Sequence, residues 1–172
     1  APDIMIGQIA AATSRMRVGS GGVMLPNHAP LTVAERFKVL EALFPGRIDL
    51  GIGRAPGTDQ ITSIALRRRQ NIDDADDFLE RLQELLLIER RGFPEGHPFS
   101  TVQAMPSDVA LPPLFLLGSS DYSAQLAASI GAGFSFAHHF AGHDVEDAMF
   151  AYRDRFQPSQ LLQKPYAILT VA

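Results

Sequence analysis

The spacing of apolar residues changes along the chain in a way that predicts alternating strands and helices. Short apolar runs bounded by turn residues are typical of strands, and apolar residues three or four positions apart are typical of helices. Five strands are predicted, at Met16–Leu25, Ile48–Ile52, Leu114–Leu117, Gly133–Ala137 and Tyr166–Val171.

Helical patterns lie between these strands. Thr32 and Glu35 have the spacing of a capping box, which predicts a helix start at Thr32. A second long helix is predicted from Asn71 to a basic end and a glycine stop at Gly92. The remaining helical segments are the end of a helix over Ile4–Ala12, then Ala124–Ile130 and Val145–Phe156, and Phe93–Pro113 is an irregular excursion.

Such alternation favours a parallel sheet with helical crossovers. In these folds, ligands bind at the carboxyl ends of the strands. Polar or glycine-rich residues follow four of the predicted strands, at Asn27–His28, at Arg54, at Gly118–Ser120 and at His138–His139. The sequence therefore predicts a ligand site at this edge of the sheet.

Composition narrows the classes of protein without naming a function. A chain of 172 residues with 46% hydrophobic residues fits one soluble domain, here residues 1–172. The net charge of −4 favours neither nucleic-acid binding nor an anionic membrane surface. There is no cysteine, no apolar stretch of ~20 residues and no signal-peptide pattern, so we expect a cytoplasmic protein. The first residue is not Met, which suggests an excised or incomplete chain.

A phosphate site is the strongest chemical prediction. Ser119, Ser120 and Ser123 lie where a strand turns into a helix, and a helix N-terminus favours an anion. Arg54 follows another strand, and its guanidinium suits a phosphate. Taken singly, a serine that only caps the helix and an arginine that is only solvated explain these residues equally well. Together, they favour a phosphate monoester.

Two other features have more than one interpretation. Gly21–Gly22 within a strand is either a bulge or a flat surface against which a ring could lie. His138, His139 and His143 lack the carboxylate or cysteine framework of a metal site, so we expect no metal. His28 is interpreted as a positioned loop residue that acts either as a base or as a hydrogen-bond donor.

Three segments together resemble one enzyme family. Arg17–His28, Pro45–Arg54 and Leu117–Ala128 resemble, in the same order, motifs of the bacterial luciferase-like monooxygenases, most closely their flavin-dependent oxidoreductase branch. The resemblance implies a (β/α)8 TIM barrel, incomplete in this chain, with about five parallel strands and outer helices. It implies that the chain begins inside the second barrel helix and ends near the seventh strand.

The resemblance also implies roles for individual residues. Arg54 matches the family's phosphate-binding arginine, and Ser119, Ser120 and Ser123 match its phosphate-binding turn. Gly21–Gly22 matches a small-residue pair that often holds a non-prolyl cis peptide beneath the flavin ring.

The implied activity is that of a flavin-dependent monooxygenase that uses reduced FMN and oxygen on a small organic substrate. The alternatives are hydride transfer with the deazaflavin F420, and a flavin-binding protein without catalytic activity. His28 and His139 are the candidate catalytic residues, and Gly53 stands where luciferase has a reactive cysteine. We expect a separate flavin reductase as a partner, and we expect the protein to form a homo-oligomer.

Overall fold

The predicted alternation of strands and helices is present in the structure, a computed structural model that describes residues 2–55, 57–67, 74–140 and 144–171. The helices are α1 (Pro2–Ala12), α2 (Pro30–Leu43), α3 (Gln60–Arg67), α4 (Asp74–Arg90), α5 (Asp121–Ile130) and α6 (Val145–Arg155). The strands are β1 (Val18–Gly19), β2 (Val23–Met24), β3 (Ile48–Gly53), β4 (Leu114–Gly118), β5 (Gly133–Ala137) and β6 (Ala167–Thr170). None of the helices in the described ranges is long and apolar enough to cross a membrane.

The chain divides into two compact units. The first contains Ala1–Val18, Val23–Ile48 and Arg54–Pro112, and the second contains Gly19–Gly22, Asp49–Gly53 and Pro113–Ala172. The assignment of residues 1–172 to one partial domain stays a prediction.

In the first unit, the apolar stripe of α2 is as predicted but its start is not. Val33, Phe37 and Leu40 are buried. The helix begins at Pro30, with Ala29 at the N-cap, because proline suits the first helical turn, where no N–H partner is needed. The predicted capping box is therefore wrong, and Glu35 Oε1 instead accepts a hydrogen bond from the Met105 N–H at 3.3 Å.

Helix α4 buries the predicted stripe of Phe78, Leu82 and Leu85. Its predicted start at Asn71 lies outside the described residues. At its other end, Arg91 has a positive φ of 51°, and the Gly92 N–H donates to the Leu87 carbonyl at 2.9 Å. The left-handed residue that ends the helix is thus Arg91 and not the glycine that follows it.

Helix α3 was missed by the sequence analysis because it is short and its sequence carries no long apolar stripe. Asp59 precedes it, and its carboxylate accepts hydrogen bonds from the Thr62 N–H at 3.0 Å and the Thr62 hydroxyl at 2.6 Å. These hydrogen bonds lower the pKa of Asp59. An aspartate that satisfies the free N–H groups of the first turn is a common reason for a helix to begin.

The irregular segment before β4 is fixed to the helices of the first unit by a buried ion pair. Lys38, only 5% exposed, lies 3.0 Å from Glu89 Oε2. Glu89 Oε1 accepts a hydrogen bond from the Leu111 N–H at 2.9 Å. Since a buried charge is costly without partners, this pair explains how a long segment without helix or strand keeps one conformation.

His28 also belongs to the first unit, where it follows a 3-10 turn over Leu25–Asn27. Its carbonyl accepts a hydrogen bond from Arg81 Nη1 at 2.8 Å. Partial burial lowers the pKa of His28, and the nearby Arg36 guanidinium lowers it further, against an opposing effect of Asp3. The neutral imidazole is therefore the form favoured in the folded protein.

In the second unit, β3, β4, β5 and β6 lie side by side and are parallel, which confirms the predicted direction of the strands. The five strands β1-β3-β4-β5-β6 follow one another in this order in the sheet. The register pairs Leu50 with Leu114, Phe115 with Gly133 and Phe134 with Ala167. Strand β5 has the predicted bounds, whereas the predicted strand Met16–Leu25 is broken into the short β1 and β2.

Tyr152 connects helix α6 to two strand starts in this unit. Its ring is 1% exposed and lies 5.6 Å from the Phe134 ring, centroid to centroid. Its hydroxyl donates to the Ala132 carbonyl at 2.8 Å and accepts from the Tyr166 N–H at 3.1 Å. Burial raises the pKa of Tyr152, so the hydroxyl keeps its proton at neutral pH.

We predict that Tyr152→Phe lowers the free energy of unfolding by about 1–3 kcal/mol, because two backbone groups lose a buried partner. Urea denaturation measures this change. Tyr166→Phe is the matched control, since Tyr166 is 49% exposed, and it should change stability by less than about 0.5 kcal/mol. Equal losses in the two variants would contradict the prediction.

A second prediction concerns pH. Because the folded-state pKa of His28 lies below 6.5, its stabilising contribution is complete above 6.5 and is lost as the pH falls through the folded-state value. His28→Gln should therefore flatten the loss of stability on acidification, as measured by urea denaturation over a pH series. An unchanged slope in His28→Gln would contradict this prediction.

Candidate functional site

One face of the parallel sheet in the second unit lines a cavity of about 200 Å³. Side chains alternate between the two faces of a strand, so the lining residues come from every second position. They are Asp49 and Gly51 of β3, Phe115 and Leu117 of β4, Ser135 of β5, and Ile168 and Thr170 of β6, together with Gly19, Ser20 and Gly21. The other face is apolar, as the packing of Phe134 on Tyr152 shows.

Three of the four residues in the wall formed by residues 19–22 are glycines. A Cβ at Gly22 would lie 2.8 Å from the Gly51 carbonyl oxygen, and a Cβ at Gly19 would lie 2.7 Å from that of Asp49. Only glycine allows so close an approach to β3. At Gly21, by contrast, a Cβ would meet nothing within 4 Å. The peptide bond Gly21–Gly22 is cis, as the resemblance implied.

Ser20 holds this wall in place and was missed by the sequence analysis. The Gly51 N–H donates to Ser20 Oγ at 3.0 Å, and Ser20 Oγ donates to the Gly51 carbonyl at 2.8 Å. The side chain thus takes the place of the backbone partner that a regular strand would offer. This is the physical reason why the predicted strand Met16–Leu25 is interrupted between β1 and β2.

Ser135 and Thr170 form a second polar feature that sequence reasoning missed. Their hydroxyl oxygens are 2.5 Å apart, and Ser135 is only 3% exposed. The available signal was the single polar residue between Phe134 and Phe136 in an otherwise apolar strand. Its partner is 35 residues away and could not be identified from spacing.

The structure brings the three predicted serines together at the start of α5. Ser120 is the N-cap, with extended backbone (φ −144°, ψ 163°), but its side chain makes no capping hydrogen bond. Ser123 lies directly over Gly118, where any Cβ would collide with the serine side chain. The explanation that Ser120 serves only as a side-chain cap is therefore wrong, and its hydroxyl does not satisfy the helix N–H groups.

Arg54 and the histidines belong to other elements of the fold. Arg54 follows β3, belongs to the first unit and is exposed. His28 lies in the first unit after the 3-10 turn, and His139 lies in the second, exposed in a 3-10 turn after β5 (His138–Phe140). His143 lies outside the described residues. The roles of Arg54, His28 and His139 stay predictions.

A search for groups of three or more histidine, cysteine, aspartate or glutamate side chains that could hold a metal ion found none among the described residues.

Comparison with known proteins gives closely similar sequences. The sequence model of the luciferase-like monooxygenase family matches residues 2–167. The protein YvbT of Bacillus subtilis is 50% identical over 169 residues, which are 98% of this chain and 48% of that protein. A luciferase-like monooxygenase of Escherichia coli K12 is 48% identical over 171 residues, which are 99% of this chain and 50% of that protein. The chain spans about half the length of the curated relatives it matches.

Some similar proteins have names that state an activity or a ligand. An N-acetyl-S-alkylcysteine monooxygenase of B. subtilis is 41% identical over 160 residues, which are 92% of this chain and 48% of that protein. A Pseudomonas putida diketocamphane monooxygenase component in complex with FMN is 19% identical, with a TM-score of 0.63 over 93% of this chain and 50% of that one. An F420-dependent secondary alcohol dehydrogenase is 16% identical, with a TM-score of 0.69 over 96% of this chain and 52% of that one. At such identities the two structures show a shared fold only.

The crystal structure of apo-MsnO8 agrees with this chain at a TM-score of 0.85 and 41% identity, over 99% of this chain and 49% of that one. This similarity confirms the predicted α/β fold of the (β/α)8 barrel type, incomplete in this chain. The family model covers residues 2–167, and two relatives are 48% and 50% identical. The chain therefore belongs to the luciferase-like monooxygenase family.

Proposed function

We propose that the complete protein containing these residues is a flavin-dependent monooxygenase that uses reduced FMN and oxygen on a small organic substrate. The observation that supports this most directly is the bare backbone wall at Gly21, where a side chain would project into open space. A flat ring system can approach such a wall closely, because no Cβ stands between it and the peptide plane.

The residues of the cavity fit a flavin ring. Phe115, Leu117 and Ile168 give it an apolar lining that favours a ring system. Its volume of about 200 Å³ is below the range of about 300–1,000 Å³ typical of ligand pockets. The described residues therefore account for one part of a flavin site.

The phosphate of FMN is assigned to the start of α5. The hydroxyls of Ser119, Ser120 and Ser123, the position at a helix N-terminus and the helix dipole all favour a dianion there. The Ser120 hydroxyl is not used in capping, which supports this assignment. Arg54 is proposed to neutralise charge on the same phosphate.

Reduced FMN, when bound, supplies the electrons that activate oxygen, and the protein has the simpler tasks of binding and orientation. In this proposal, the glycine wall places the ring, and the serine turn anchors the phosphate. His28 and His139 act on the substrate, where the neutral imidazole favoured at His28 can accept a proton.

The names of relatives support monooxygenation but leave the cofactor open. The B. subtilis N-acetyl-S-alkylcysteine monooxygenase supports a monooxygenase acting on a small molecule. The FMN complex and the F420-dependent dehydrogenase are both below 25% identical to this chain. The shared fold is therefore compatible with either cofactor. Hydride transfer with F420 and flavin binding without catalysis are the two alternatives.

One experiment on the complete protein separates these possibilities. The purified protein is titrated with FMN and F420, and oxygen consumption is followed with reduced FMN over a panel of small thioethers and ketones. We expect FMN binding and substrate-dependent oxygen uptake. Binding of F420 alone would favour the hydride-transfer alternative, and FMN binding with no turnover of any substrate would favour a non-catalytic protein. A separate flavin reductase, a homo-oligomeric state and a cytoplasmic location belong to the same proposal.

We predict that Arg54→Ala in the complete protein weakens FMN binding about ten- to a hundredfold, since a charge-assisted contact contributes ~1.5–3 kcal/mol. Riboflavin lacks the phosphate, so its affinity should hardly change. Fluorescence titration with both flavins measures the difference, and Arg15→Ala, at an exposed position on another segment, is the control. Equal losses for FMN and riboflavin would contradict the assignment.

A further prediction concerns the histidines. His28→Ala and His139→Ala should each lower kcat with reduced FMN more than they change FMN affinity, because both are assigned to the substrate. Steady-state kinetics and flavin titration on the same preparations give the two values. If turnover and affinity fall together, the histidines position the flavin instead.

A further inference from the structure

The polar lining of the cavity includes a buried side chain to which no role has yet been given. Ser135 is 3% exposed and lies between Phe134 and Phe136, both buried. Those two rings lie on the face that packs against α6, and Ser135 therefore points into the cavity. A hydroxyl at such a position is costly unless it has hydrogen-bond partners.

Thr170 of the neighbouring strand β6 supplies one partner, with the two oxygens 2.5 Å apart. Two hydroxyls carry two donor hydrogens and four acceptor lone pairs. Their mutual bond uses one hydrogen and one lone pair, so one donor and several acceptor positions are left. Because both side chains line the cavity, these positions are available to a ligand inside it.

The chemistry of the pair indicates which ligand group it suits. Neither hydroxyl is charged, and Ser135 and Thr170 lie on strands and not at a helix N-terminus, so the pair offers no field that would favour a phosphate. It does offer a donor and an acceptor side by side. A neutral group with adjacent donor and acceptor atoms would satisfy both.

We propose that Ser135 and Thr170 bind the imide edge of the flavin ring, in which an N–H stands between two carbonyl groups. This inference rests on the proposed function and assigns two further residues to the flavin site. The opposite, dimethylated end of the ring is apolar and would leave the hydroxyl pair unsatisfied. The pair therefore fixes which end of the ring enters the cavity, while the serine turn at α5 holds the phosphate.

The test is a fluorescence titration of the complete protein with oxidised riboflavin and with N3-methylriboflavin, in which the imide hydrogen is replaced. Ser135→Ala and Thr170→Val should each weaken riboflavin binding about tenfold, the effect of one lost buried hydrogen bond. The same substitutions should weaken the binding of N3-methylriboflavin less, because that ligand keeps the two carbonyl acceptors but cannot donate to the pair.

Two controls separate hydrogen bonding from packing. Thr170→Ser keeps a hydroxyl and should retain most of the riboflavin affinity that Thr170→Val loses. Ser129→Ala removes an exposed hydroxyl that bonds the Leu126 carbonyl, and it should have no effect on either flavin. Thermal unfolding without flavin verifies that each variant is folded before it is titrated.

The outcomes distinguish this inference from the proposed function. If the unsubstituted protein binds riboflavin but Ser135→Ala and Thr170→Val leave that affinity unchanged, or weaken both flavins equally, the inference is overturned and the proposed function stands. If the unsubstituted protein binds neither FMN nor riboflavin, the proposed function is overturned, and the inference with it.

Discussion

The cavity depends on how closely residues 19–22 lie against strand β3. Glycine at positions 19 and 22 allows the approach, since a Cβ at either would stand within 3 Å of a β3 carbonyl oxygen. Ser20 then fixes it, because its hydroxyl exchanges two hydrogen bonds with the backbone of Gly51. This contact fixes the position of the wall against which a ring is proposed to lie.

Two kinds of polar group are proposed to contact the flavin, and their physical settings differ. The serines of α5 stand at a helix N-terminus, where free N–H groups and the dipole select negative charge. Ser135 and Thr170 stand within a sheet, away from any helix N-terminus, and neither hydroxyl carries a charge. A molecule with a charged phosphate at one end and a neutral polar ring edge at the other would be held in one orientation by this division.

Much of the fold could be predicted because strand and helix periods are local properties. Strand β5 has its predicted bounds, and the buried stripes of α2 and α4 are those that the spacing indicated. Ends of elements were harder. Thr32 and Glu35 have the spacing of a capping box, yet α2 begins at Pro30, because proline suits the first helical turn. The Glu35 carboxylate accepts a hydrogen bond from the Met105 N–H instead.

Sequence reasoning reached candidate site residues only where they follow a strand end. Ser119, Ser120 and Ser123 stood out because glycine and serine mark the turn into a helix. Ser20 and Ser135 did not, because the hydrogen-bond partner of each is more than 30 residues away in the sequence. Pairing of distant strands decides such contacts, and no local period encodes it.

The arrangement Phe134-Ser135-Phe136 restricts how this family member can evolve. A strand shows alternate residues to its two faces, so a one-residue shift in the register of β5 would turn both aromatic rings into the cavity and the hydroxyl towards the helices. Such a change fills the ligand space and opens a hole in the packing at once. A point substitution at position 135 would alter the polarity of the cavity and leave the register of the strand unchanged.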